Sequence, residues 1–166
     1  MNDLVIDAFE FCRSRERREG EIAVADLPRL AEESVDKAGS VRWTLHGGTE
    51  RHGHPQLELA IAGAVHLVCQ RCLGPLEFAI DSSSVLVLAP DEKSADDIDV
   101  QLDDEAVEVI VGSHSFDMRQ VIEDEALLAI PLSPKHDACP DAPRVIEEAP
   151  EIKKESPFAV LKNLKK

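Results

Sequence analysis

Apolar residues recur along this chain at two spacings, and the changes between them mark out its elements. Val5, Ala8, Phe9 and Cys12 fall at i, i+3, i+4 and i+7, one stripe of an amphipathic helix, with Cys12 as a small buried core residue. Gly20 closes that segment. Residues 21–25 alternate weakly as a strand. Asp26-Leu27-Pro28 then opens a short helical stretch through Glu33, with proline where a missing N–H costs nothing.

The period then changes to two. Val41, Trp43 and Leu45 alternate with polar residues before a turn-rich stretch holding Gly47, Gly48, Gly53 and Pro55. Leu57, Leu59 and Ile61 make a second strand, which Gly63 breaks or bends ahead of Val65 and Leu67. Leu76, Phe78 and Ile80 alternate again and lead into the apolar run 85–88, and Val107, Val109 and Val111 form a last strand. Successive strands joined by short turns predict an antiparallel meander, an arrangement able to curl towards a barrel. Ser115 serves as N-cap for a helix through about Leu128 that buries Met118, Val121, Ile122 and Leu128, and Pro131 and Pro134 stop it. The fold class is therefore α+β, a mainly antiparallel sheet with peripheral helices.

Charge adds the parts without periodicity. The chain of 166 residues has a net charge of −15, and 91–125 holds thirteen Asp or Glu against Lys93 and Arg119 alone. Residues 90–104 read as a mobile acidic loop. Residues 140–156, rich in proline and mixed charge, read as an extended tether. At 157–166 Phe158, Leu161 and Leu164 share one face of a short basic helix, with Ser156 as cap and Pro157 at its first position. The organisation expected is one domain over 1–139, the tether, and the tail. An acidic surface repels phosphate and lipid headgroups and attracts basic proteins. RNA contact is thus expected only at the basic ends, through Arg13, Arg15, Arg17 and Arg18 or the tail lysines. No secretory signal and no spanning run is apparent, and cysteines in such a chain point to reduced thiols in a cytosol, with no membrane partner.

The chemistry concentrates in Cys69-Gln70-Arg71-Cys72, where a strand pattern breaks into Leu73-Gly74-Pro75. Two thiols at that spacing suit one metal ion or a redox pair. His136 and Cys139 repeat the spacing far downstream, so the four residues form a soft-ligand set suited to Zn2+. A reduced, metal-free pair fits equally well. A thiol–disulfide oxidoreductase using Cys69 and Cys72 is the weaker fit, because such pairs sit at a helix N-terminus and here a turn and strand follow. No phosphate-binding glycine loop, nucleophile elbow or paired metalloprotease histidines occur. A non-enzyme without a small-molecule substrate is expected, with a zinc-binding interaction adaptor as a further alternative.

The stretch from Val65 to Pro75, the acidic segment after it, Pro131-Leu-Ser-Pro-Lys-His-Asp-Ala-Cys139 and the closing Pro157-Phe-Ala-Val-Leu-Lys-Asn-Leu-Lys165 together resemble the YceD family, the large ribosomal RNA subunit accumulation proteins. The resemblance implies a bacterial cytoplasmic, non-catalytic ribosome biogenesis factor that supports 23S rRNA accumulation and large-subunit assembly. Its partner would be the large-subunit precursor, through 23S rRNA or a basic ribosomal protein. Phe158, Leu161, Lys162 and Lys165 are the expected partner-binding residues. The chain has Ser156 where the family's tail usually has asparagine, a change between two good caps. It carries only His136 and Cys139 where some relatives have further cysteine pairs.

Overall fold

The computed structural model describes residues 4–140. Its centre is a five-stranded sheet in the order β2-β3-β4-β5-β6, comprising β2 (Arg17–Ala23), β3 (Ser40–Thr49), β4 (Pro55–Val68), β5 (Pro75–Ala89) and β6 (Val107–Val111). The first four strands pair antiparallel, as alternating segments joined by tight connections should. β6 pairs parallel to β5. The order is linear, with β2 and β6 at opposite edges, so the sheet stays open and does not close into a barrel.

One face of the sheet carries the main core. Val41, Trp43 and Leu45 of β3 and Leu57, Leu59, Ile61, Val65 and Leu67 of β4 point to it by strict alternation. Against them pack α1 (Ala8–Arg13), α2 (Pro28–Glu33) and α4 (Met118–Ala129), through Phe11, Leu30, Met118, Ile122 and Ala126 among others. A smaller cluster lies on the opposite face, where Val87 and Ala89 meet Ile98 and Leu102 of α3 (Glu92–Leu102).

Several expectations need correction. The acidic stretch 90–104 is not a loop: most of it is α3, which links β5 to its parallel neighbour. Asp91 caps it by accepting from the Ser94 N–H at 2.8 Å, and parallel strands require such a crossover. The opening helix is shorter than its stripe, because Val5–Ile6 (β1) pairs with Phe116–Asp117 (β7) and Asp7 becomes the cap. For the same reason the cap of α4 is Asp117 rather than Ser115. Leu128, expected in the core, is 77% exposed, because the buried stripe runs through 118, 122 and 126.

Two glycines read as breakers lie inside strands. At Gly20 a Cβ would come 2.8 Å from the Trp43 ring on β3, and at Gly63 it would run into the Ser40 carbonyl oxygen. Each marks a close approach rather than a chain break. The expected tether and tail fall almost entirely outside the described residues, and Phe158, Leu161, Lys162 and Lys165 with them.

The register of the central hairpin positions the site. β4 and β5 pair from Gln56 opposite Val87 out to Val68 opposite Pro75. β3 accompanies β4 only as far as Gly63, and β6 accompanies β5 only from Val85. The far end of the hairpin therefore runs past both neighbours as a two-stranded ribbon, with 69–74 at its tip.

Candidate metal centre

The tip is shaped by its own backbone. The Cys69 N–H donates to the Gly74 carbonyl at 2.9 Å, and the Leu73 N–H donates to the Cys69 carbonyl at 2.9 Å. Leu73 takes a left-handed conformation with φ 60°, which turns the chain back so that Cys69 and Cys72 face the same space. The loop after α4 then reaches the tip, where the Gln70 N–H donates to the Pro134 carbonyl at 2.8 Å. This bond helps to set 134–139, with His136 and Cys139, beside 69–72.

The two pairs converge. The four ligand atoms of Cys69, Cys72, His136 and Cys139 all lie within 4.8 Å of one another. Cys69 Sγ is 3.8 Å from Cys139 Sγ, and Cys72 Sγ is 3.4 Å from His136 Nδ1. Tetrahedral zinc with Zn–S bonds of about 2.3 Å and Zn–N of about 2.0 Å has edges of about 3.8 Å between sulfurs and about 3.5 Å between sulfur and nitrogen. The donor set and these spacings fit a Cys3His metal site.

The surroundings orient the ligands. His136 Nε2 lies 3.0 Å from the Pro75 carbonyl oxygen. That oxygen only accepts, so Nε2 carries the proton and Nδ1 turns its lone pair to the thiols, the tautomer a metal ligand needs. The Arg71 and His136 N–H groups each donate to Cys69 Sγ at 3.4 Å. Burial pushes the Cys69 thiol up, but the N–H groups of Cys72, His136 and Arg71 and the Cys72 thiol outweigh it and hold it down to about 5. Cys139 goes the other way, raised first by burial and then by the neighbouring thiols of Cys69 and Cys72. One thiolate is thus stabilised before any cation arrives.

The structure brings the four candidate ligands named from the sequence together. What spacing alone missed is the orienting shell of Pro75, Arg71 and Pro134, which acts through backbone atoms and leaves no side-chain signature. The basic cluster near the start is largely neutralised by its neighbours. Arg13 pairs with Glu10 at 3.0 Å, Arg17 with Glu19 at 3.1 Å and Arg18 with Glu16 at 3.3 Å. Cys12, read as core, is buried, with its Sγ on the Gln56 carbonyl at 3.2 Å.

Residues 57–165 match the family model of the large ribosomal RNA subunit accumulation protein YceD. The chain belongs to the YceD family. The matched stretch begins in β4 and takes in all four cluster residues. Across 98% of its length the chain is also similar to a YceD-family relative, the large ribosomal RNA subunit accumulation protein YceD of Haemophilus influenzae, with 30% identity over 95% of that protein. No solved structure matches this YceD-family chain. No helix among the described residues is long and apolar enough to cross a membrane.

Proposed function

We propose that the protein is a cytoplasmic, non-catalytic factor that supports 23S rRNA accumulation and large-subunit assembly by binding the large-subunit precursor. The observation that carries this reading is the family match across 57–165, which spans both the Cys3His cluster and the basic tail. Zinc in the cluster would be held by four protein ligands, with no open position for substrate, as structural sites are. Its role is to clamp the ribbon tip to the segment leaving α4. The tail supplies Phe158 and Leu161 as apolar anchors and Lys162 and Lys165 for phosphate or an acidic rim, while the acidic surface of 91–125 faces a basic ribosomal protein.

Cells lacking the protein should show 23S rRNA reduced relative to small-subunit RNA, and the wild-type gene should restore it. Normal 23S rRNA in its absence would end the proposal. The favoured thiolate of Cys69 and its proximity to Cys139 support one competing reading, thiol–disulfide exchange. Turnover in a dithiol–disulfide assay that disappears in the Cys69→Ser, Cys72→Ser variant would favour that competitor.

A further inference from the structure

An open groove of about 510 Å³ lies beside the metal centre, between the end of α2, the end of β4 and the segment after α4. Leu67, Leu127, Ile130 and Pro134 are among the residues that line it. Val68 at 38% exposure and the fully exposed Leu132 present apolar surface to solvent there. These two side chains leave an apolar face that a short segment of chain can cover. Glu32 and Glu33 stand on the rim, both exposed. An apolar trough with an acidic edge fits an apolar segment carrying positive charge.

The chain contains such a segment. Residues 157–166 carry Phe158, Val160, Leu161 and Leu164 with Lys162, Lys165 and Lys166, and no acidic residue. Ten residues are too short to hold a helix in water without a surface to dock on. The starting point also fits. Cys139 is held at the ribbon tip against Cys69, and Pro134, four residues beyond Ile130, is itself part of the groove. The 16 residues 141–156 can span up to about 55 Å when extended. Tethering at such a length gives an effective concentration in the millimolar range, enough to favour a weak intramolecular contact.

We infer that 157–166 docks in cis in this groove, with Phe158 and Leu161 on its apolar lining and the lysines against Glu32 and Glu33. The inference holds whether or not the protein serves the ribosome. Where it does, occupancy keeps the same two anchors from a partner until the segment leaves, so the groove regulates capture. The test uses the full chain with photoreactive benzoylphenylalanine in place of Phe158, prepared as a mixture of isotopically light and heavy protein. Cross-links within one chain to peptides containing Val68, Leu127 or Leu132 are expected. They should fall several-fold in Leu132→Glu and, more strongly at low salt, in Glu32→Lys, Glu33→Lys. Both variants alter exposed positions and should melt as the wild type does. Cross-links joining light to heavy chains would show a second copy in the groove and overturn docking in cis. Cross-links that avoid the groove, or that persist unchanged in both variants, would overturn it as well.

Discussion

At the scale of single residues, the Cys3His cluster sets the local chemistry. Cys69 is its centre, because three backbone N–H groups favour its thiolate and its sulfur lies 3.8 Å from that of Cys139. A metal joining Cys69 to Cys139 closes a loop of 70 residues. By the chain-entropy argument a cross-link of that length stabilises by up to about 4 kcal/mol. Protein purified without chelator should hold one zinc per chain. Stripping it, or making Cys69→Ser, should lower the melting temperature by about 10 °C, taking ~2–4 °C per kcal/mol for a domain of this size. Metal analysis beside a thermal melt checks both. Zinc near zero in fresh protein removes the site and leaves Cys69 and Cys72 as packing residues.

Between elements, the telling contact joins α4 to α2. The residue before α2, Leu27, offers no capping side chain, so the first N–H groups of that helix need an acceptor from elsewhere. Glu123 of α4, buried at 4% exposure, provides it. One oxygen accepts from the Arg29 N–H at 2.7 Å and the Leu30 N–H at 3.1 Å, and the other meets Arg29 Nε at 2.9 Å. Glu123→Ala leaves two donors without a partner and should cost about 2–3 kcal/mol. Arg29→Ala should cost clearly less, since the backbone bonds survive and the guanidinium is half exposed. Urea unfolding of the two variants checks the order. Equal losses would mean that the ion pair, not the capping, holds the helices together.

For the molecule as a whole, the proposed encounter with a partner rests on the distribution of charge. α3 places its acidic residues outward while Ile98 and Leu102 hold it to the sheet, so the acidic surface is presented on an ordered helix. Asp96→Asn, Asp97→Asn, Asp103→Asn and Asp104→Asn together remove four negative charges. Asparagine keeps an acceptor for the Ala106 N–H at position 104 and tolerates the left-handed backbone at 103. Helix content by circular dichroism should therefore stay constant. Affinity for large-subunit precursors should fall more at low salt than at high salt, because screening already weakens the wild-type attraction. The same affinity at both ionic strengths would end the charge-pairing idea.

Local pattern determined a good deal by itself. Alternation alone placed Val41, Trp43 and Leu45, then Leu57 to Leu67, on one buried face, because a strand's side chains repeat every two residues. Ligand type and spacing alone named Cys69, Cys72, His136 and Cys139, because two chelating pairs carry their chemistry wherever the chain goes. Tertiary structure decided what depends on partners distant in sequence. It made 92–102 a helix, whose few apolar residues gain burial only when Val87 and Ala89 lie beneath them. It turned β6 parallel to β5, placed Gly20 and Gly63 within strands, and set Glu123 under α2. It also brought His136 to Cys72, because the pairing of β4 with β5 carries the ribbon tip past the rest of the sheet to the loop that follows α4.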